Sequence, residues 1–138
     1  MSGVFASEEL IEIVIKYVQT DGNKAPIIVS TEEGEKKHGD KVKSIKTFWK
    51  TLDWKSANDM TRESMTYNTV TGEPSLDVFK LRELRMKKCL KKWDLKDATN
   101  QPIPCNEQYI DKLHPAMAGW LIESYNDITI PSDDDQKN

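Results

Sequence analysis

The first pattern along the chain is a run of apolar residues at helical spacing. They are Leu10, Ile11, Val14, Ile15 and Val18. Ser7 precedes them as a candidate N-cap, and two acids follow it at the positive end of the helix dipole, so the pattern predicts a helix over 7–19. A strand is the alternative, because Ile11, Ile13 and Ile15 also alternate and β-branched residues favour strands.

Two apolar segments farther along predict a pair of strands. Residues 26–30 form a short apolar run between turn formers, and residues 42–52 are rich in β-branched and aromatic side chains. We expect these two strands to pair with each other. Residues 31–41 between them contain two glycines and almost no apolar side chain, which predicts a solvent-exposed and mobile loop.

The second half of the chain predicts helices. Asp53 is a candidate N-cap for a helix over 54–65, and a turn-rich connection over 67–74 follows it. The longest helix is expected over 75–92. Most of its apolar residues form one stripe and two leucines, Leu81 and Leu84, fall off it. The stripe consists of Val78, Phe79, Met86, Cys89 and Leu90. That helix should therefore contact neighbours on two sides, and Trp93 should close it.

Prolines and caps predict the remaining elements. Pro102 and Pro104 force an extended stretch, because neither residue fits a helix interior. Asn106 is a candidate cap for a short helix, and Pro115 suits the first turn of a last helix. The last helix is expected to present Met117, Trp120, Leu121 and Tyr125.

These elements predict an α+β fold that is mostly helical, with a short N-terminal β-hairpin packed on a C-terminal helical module around a long central helix. A chain of 138 residues buries one modest core, so residues 1–130 are expected to form a single domain. The strand pair occupies 25–52, and the helical module occupies 53–125. Residues 131–138 are too polar to order themselves and are predicted to be a disordered acidic tail.

Charge is segregated along the chain although the net charge is only −3. Residues 80–92 contain seven basic side chains and one acid, whereas residues 133–135 are all aspartate. A solvated helix face is the commoner meaning of such a basic run. The alternative is an anionic partner, but the negative net charge and the absence of a helix-turn-helix signal make nucleic acid an unfavoured one.

No familiar catalytic arrangement occurs in the sequence. The two histidines are isolated, no phosphate-binding glycine loop is present, and Cys89 and Cys105 do not form a C-x-x-C motif. We therefore expect neither an enzyme nor a bound metal or cofactor. No secretory signal precedes the cysteines and no apolar run could cross a bilayer, which predicts a protein that is not secreted, carries reduced thiols and stays off membranes.

Tryptophan is abundant for so small a core, with four residues in the chain. Two or three of them are expected to be core anchors, because indole rings usually pack inside. An indole on the surface beside Arg82 or Arg85 would instead mark a protein-binding spot, since Trp and Arg are frequent interface anchors. The candidate partner-binding residues are Trp49, Trp54, Arg82, Arg85, Lys88 and Trp120.

One segment, residues 79–125, also shows a distinctive order of motifs. A basic helix ends in a Trp-Asp-Leu step, followed by a polar turn, a Pro-hydrophobic-Pro stretch, a capped turn and a last helix. The residues concerned are Trp93, Asp94, Leu95, Pro102, Ile103, Pro104, Glu107, Leu113, Pro115 and Trp120. This order resembles the C-terminal half of tail assembly chaperones and related small tail-region proteins of long-tailed bacteriophages. With a looser match upstream, the resemblance spans about 42–125 and leaves 10–40 unmatched.

The resemblance implies a non-catalytic protein of the host cell cytoplasm that coats apolar helical segments of the tape measure protein and helps tail-tube protein subunits assemble. A groove with charged edges, between the central helix and the last helix, would suit such a client. Two alternatives stay open. One is a structural virion component of the tail or head-tail region, and the other is a small nucleic-acid-binding or host-takeover protein that uses the basic helix 80–92. A homo-oligomer is also left open.

Overall fold

Residues 4–22 and 24–130, described by a computed structural model, form six strands and five helices. The strands are β1 (Ile11–Val18), β2 (Ile27–Val29), β3 (Val42–Trp49), β4 (Met65–Tyr67), β5 (Pro74–Leu76) and β6 (Leu90–Trp93). The helices are α1 (Glu32–His38), α2 (Trp54–Glu63), α3 (Val78–Cys89), α4 (Glu107–Asp111) and α5 (Pro115–Thr129). This arrangement confirms the α+β class. The predicted acidic tail, 131–138, lies outside the described residues.

The main sheet shows that the predicted N-terminal helix is wrong. Residues of that segment form β1, which pairs with β3 antiparallel along its whole length, from Ile11 opposite Trp49 to Val18 opposite Val42. The alternation of isoleucines decides the outcome, because a strand directs every second side chain to one face. The buried residues on that face are Ile13 and Ile15.

The predicted pairing of the next two strands is also wrong. Both strands exist, as β2 and β3, but β1 lies between them in a sheet of order β2-β1-β3-β6. Once the first segment is a strand, it pairs with β2 on one side and with β3 on the other. A four-stranded antiparallel sheet therefore replaces the expected short hairpin.

Residues 32–38 form a helix where a mobile loop was expected. Thr31 caps α1, since its Oγ1 accepts a hydrogen bond from the Gly34 N–H at 3.0 Å. The first turn is acidic and the last turn is basic, which favours the helix dipole at both ends. No residue of α1 is buried, so capping and charge compensate for the missing apolar stripe. An ion pair between Lys16 and Glu35 ties α1 to β1.

The caps predicted for the helical half are confirmed. Asp53 accepts from the Ser56 N–H at 2.8 Å to start α2, and Asn106 accepts from the Tyr109 N–H at 3.0 Å to start α4. Pro115 is the first residue of α5. None of the helices in the described part of the chain is long and apolar enough to cross a membrane.

The connection and the central helix differ from expectation at their ends. The turn-rich stretch closes into the small β4–β5 hairpin, and α3 begins after the Asp77 cap, which accepts from the Lys80 N–H at 3.0 Å. The helix ends at Cys89 rather than at residue 92, because the chain continues as β6 at the edge of the main sheet. Leu90 is buried there, so sheet pairing and burial outweigh helix propensity.

The core lies between one face of the main sheet and the helices α3, α4 and α5. Trp49 is fully buried in it and stacks on Tyr125, with ring centroids 4.7 Å apart. The Trp49 Nε1 donates to the Thr47 Oγ1 at 2.7 Å, and that hydroxyl donates to the Ile13 carbonyl at 2.8 Å. Every polar atom of this buried group thus has a partner. The other core residues are Ile13, Ile15, Ile45, Met86, Cys89, Leu90, Ile110, Met117, Leu121 and Ile122.

Trp93 connects the end of β6 to the proline stretch, which is extended as predicted. Its Nε1 donates to the Ile103 carbonyl at 2.7 Å, while the Ile103 N–H donates to the Leu95 carbonyl at 2.9 Å. The ring also packs against the core although it is only half-buried. This residue therefore holds the segment that leads into α4.

Trp93→Ala is expected to lower the free energy of unfolding by about 3 kcal/mol, at the lower end of the range for large aromatic truncations because the ring is half-buried. Urea unfolding followed by circular dichroism measures this. Trp93→Phe keeps most of the packing and loses only the hydrogen bond, so it should cost about 1 kcal/mol. Wild-type stability in the alanine variant would contradict this packing.

Candidate binding groove

An open groove runs between α3, α4 and α5, with a volume of about 270 Å³. We call it the helix groove. Its apolar lining comes from all three helices and the turn between the last two. These residues are Phe79, Met86, Ile110, Leu113, Pro115, Ala118 and Ile122. Charged side chains stand among them, namely Arg82, Glu83, Lys87 and Asp111.

The spacing of residues on the two long helices creates this groove. On α3, Phe79, Arg82 and Met86 lie three and four positions apart, so they share one face. On α5, the groove face carries Ala118 and Gly119, whose small size leaves room above them. A Cβ at position 119 would lie 3.7 Å from the Arg82 Nη2, which shows how closely the guanidinium approaches α5.

Phe79 gives the helix groove an apolar rim in contact with solvent, since 72% of the residue is exposed. The stripe predicted on the central helix is therefore covered at one end only. Met86 and Cys89 are buried, whereas Val78 and Phe79 are exposed. The sequence does not reveal which end is open, because that depends on where α4 and α5 pack.

Arg82 is the cation of the helix groove that has no partner among the described residues. It makes neither a hydrogen bond nor an ion pair there. By contrast, the Lys87 Nζ lies 2.9 Å from the Asp111 Oδ1, and this contact raises the pKa of Lys87. An incoming carboxylate would thus meet Arg82 without having to break an existing ion pair.

The other predicted basic residues are engaged within the protein. The Arg85 Nη1 donates to the Asn126 Oδ1 at 3.1 Å, and the Lys88 Nζ lies 3.1 Å from the Glu63 Oε1. Neither residue lines the helix groove. Of the three basic candidates, the structure places Arg82 alone in the groove.

The three predicted tryptophans fall in three different environments. Trp49 is fully buried, so it is a core residue and cannot contact a partner at the surface. Trp54 begins α2 and is 84% exposed, but it does not line the helix groove. Trp120 follows Gly119 and is 39% exposed, also outside the groove lining. The surface anchor beside Arg82 is thus Phe79, which the sequence pattern assigned to the core stripe.

The histidine and cysteine side chains outside the helix groove have structural surroundings in the described part of the chain. No cluster of three metal-ligating side chains occurs among those residues. The His114 Nδ1 accepts from the Ala116 N–H at 3.1 Å and so caps α5. Cys89 and Cys105 are free thiols, and burial raises the pKa of both, which is the opposite of what a nucleophilic cysteine needs.

Cys105 provides a test of this environment. Burial raises its pKa to about 11 from 9.0, so at pH 8 the thiolate fraction falls roughly 100-fold, and labelling by iodoacetamide should slow by about that factor relative to urea-unfolded protein. Mass spectrometry of the Cys105 peptide gives both rates. Equal labelling rates in folded and unfolded protein would contradict this environment.

The raised pKa of Cys105 also affects stability at high pH. Because the folded-state pKa is raised, the contribution of this thiol to stability is present below pH 9 and is lost as the pH rises towards 11.

No protein-family model, no curated protein and no solved structure matches this chain.

Proposed function

We propose that this chain is a non-catalytic binding protein that holds an amphipathic helix of another protein in the helix groove. The observation that carries the proposal is an apolar groove beside a largely exposed Phe79 and an Arg82 that has no partner among the residues the structure describes. Exposed aromatic and arginine side chains next to a concave apolar surface are frequent anchors of protein interfaces.

The shape of the helix groove favours side-chain anchors of a partner. At about 270 Å³, it has room for a few apolar side chains. It is also open along one side, between helices, which suits the apolar face of a helix with anchors at positions i, i+3, i+4 and i+7. A client helix would insert a few apolar side chains and leave its polar face in water.

The charges beside the groove define the client further. Arg82 favours a client with an acidic residue next to its apolar stripe, because the guanidinium can donate hydrogen bonds to a carboxylate without losing another ion pair. The contact is exposed, so binding should weaken as salt rises. The affinity should be modest, because a protein of this kind must later release its client.

We propose that the client is the tape measure protein and that this chain acts in the host cell cytoplasm as a bacteriophage tail assembly chaperone. The resemblance over residues 42–125 supports this role, and the helix groove offers an apolar surface between the central helix and the last helix that an apolar client segment could occupy. The basic face of α3 is less suited to nucleic acid than its composition suggests, because Arg85 and Lys88 contact Asn126 and Glu63.

Co-expression with the tape measure protein from the same genome tests this proposal. We expect a soluble complex in which the tape measure protein, insoluble alone, co-purifies with this chain. Three results would contradict it. They are no complex, presence of the chain in finished virions as a stoichiometric component, or retention on DNA at physiological salt that is lost in the Arg82→Glu, Arg85→Glu double variant.

A further inference from the structure

The β4–β5 hairpin exposes apolar side chains along its whole length. All eleven residues from 66 to 76, which we call the arm, are exposed. The strand register places Tyr67 and Leu76 on the same face of the arm, and they are 67% and 42% exposed. A two-stranded hairpin is only marginally stable by itself in water. An arm with an exposed apolar face therefore indicates a contact with another molecule.

The tip of the arm is a turn with many internal hydrogen bonds. The Asn68 Oδ1 accepts from the Val70 N–H at 2.8 Å and from the Thr71 N–H at 3.0 Å. The Asn68 carbonyl accepts from the Gly72 N–H at 2.8 Å, and the Asn68 N–H donates to the Glu73 carbonyl at 2.9 Å. The turn thus holds Val70, which is 90% exposed, in a defined position. Such preorganisation lowers the entropic cost of inserting this side chain into a partner.

The helix groove complements this tip in shape and charge. The groove is concave and mostly apolar, and its volume of about 270 Å³ accommodates a valine side chain. Glu73 follows Val70 by three residues in the same turn, and its carboxylate has no ion-pair partner among the described residues. Arg82 at the groove is equally without a partner there. An apolar side chain near a carboxylate on the arm therefore matches an apolar groove near a guanidinium.

The arm does not occupy the helix groove of its own chain. Of the described residues that line the groove, none belongs to the arm, and Val70 stays exposed. A second copy of the chain, however, presents the same groove to this arm. We infer that the arm of one copy inserts Val70 into the helix groove of another copy, with Glu73 on Arg82.

This contact joins two different patches, so every chain offers one arm and one groove. An arm in the groove covers the surface that the client would use. Self-association therefore competes with client binding and keeps the apolar groove covered while no client is present. This competition rests on the proposed function, but the contact between copies does not.

Sedimentation equilibrium of the full chain, without any client, tests the contact. The concentration range is roughly 10 µM to 1 mM, which suits weak interfaces that bury less than about 1,200 Å². The average mass of wild type should rise with concentration above that of one chain. Val70→Asp changes the arm and Gly119→Leu fills the groove, so each should weaken self-association at least about tenfold.

Trp54→Asp is the matched control, because it also places an aspartate at an apolar position that is largely exposed, at 84%. Trp54 lies outside both the arm and the groove lining, so this variant should associate like wild type. A single-chain mass for wild type at all concentrations would overturn the inference. Equal weakening in Trp54→Asp would overturn it as well.

Mixing two variants tests whether the arm of one copy meets the groove of another. Val70→Asp keeps an intact groove and Gly119→Leu keeps an intact arm. An equimolar mixture should therefore form pairs of unlike chains, although neither variant associates alone. A mixture that stays monomeric would overturn the inference, because association would then use another surface.

Exchanging the two charges tests the ion pair. Glu73→Arg places two cations together and should weaken self-association about three- to tenfold, and adding Arg82→Glu to the same chain should restore it. Failure of the second substitution to restore association would overturn the pairing of Glu73 with Arg82.

The competition is tested separately with an amphipathic tape measure peptide as the probe. The peptide should lower the average mass of self-associated wild type towards that of one chain. If it binds neither wild type nor Val70→Asp while the mixed variants pair as expected, the proposed function fails and the contact between copies stands. Peptide binding that leaves the average mass unchanged would overturn the competition.

Discussion

Trp49→Ala should destabilise this protein by about 4 kcal/mol or more, the largest stability loss expected from one substitution in the chain. Three contacts are lost at once, because the ring is fully buried, stacks on Tyr125 at 4.7 Å and donates a hydrogen bond to Thr47. The substitution leaves a large cavity between the main sheet and α5. Urea unfolding followed by far-ultraviolet circular dichroism gives the free energy.

Trp54→Ala is the matched control, since it removes the same side chain from a residue that is 84% exposed. Its effect should stay within about 0.5 kcal/mol, as for other surface substitutions. The two indoles were equivalent candidates in the sequence, so the contrast measures what the buried position of Trp49 adds, namely packing, ring stacking and the hydrogen bond. Similar losses in both variants would contradict the placement of these residues.

Gly119→Leu should reduce client affinity at least tenfold without loss of stability. Position 119 lines the helix groove, and its Cβ would lie 3.7 Å from the Arg82 guanidinium. A leucine side chain would therefore fill the space that we propose for the client. The helix itself should benefit, because glycine in a helix interior costs about 1 kcal/mol relative to alanine and leucine has a similarly good propensity. Calorimetric titration with a tape measure peptide gives the affinity.

Gly119→Ala separates groove filling from the change in backbone preference. A single Cβ at 3.7 Å is an ordinary contact, so the groove keeps its depth and affinity should change by no more than about threefold. Both variants gain helix propensity, and only the leucine occupies the groove. Wild-type affinity in Gly119→Leu would show that the client binds elsewhere.

Features that depend on neighbouring residues were predictable from the sequence. Asp53, Asn106 and Pro115 start helices as expected, since a cap acts within one turn of its own helix. The extended stretch around Ile103 also follows from the two flanking prolines. Each of these signals is local and has few competing meanings.

Features that depend on distant pairing were not predictable in the same way. The isoleucines of β1 suit a helix or a strand, and the choice is made by β3, which lies more than twenty residues later in the chain. The same holds for β6, because helix propensity alone would extend α3 through residue 92. In both segments, tertiary pairing overrides local preference.

The position of the helix groove was anticipated only in outline. A groove between the central and last helices was expected from the client that the family resemblance implies, and a binding role for Arg82 stays a prediction. The exposure of Phe79 and the burial of Trp49 do not, because both depend on how α4 and α5 lie against the sheet. The small residue Gly119 carries no signal until Arg82 is seen beside it.

The most direct test of the central claim is to map a client helix onto the protein by nuclear magnetic resonance. Overlapping peptides that cover the tape measure protein would be titrated into isotope-labelled chain, and amide and arginine side-chain signals followed. We predict that an amphipathic, acid-containing peptide shifts the signals of Phe79, Arg82 and Gly119 first. Shifts concentrated around Trp54 or on the solvent face of the main sheet, or no shift with any peptide, would contradict the account.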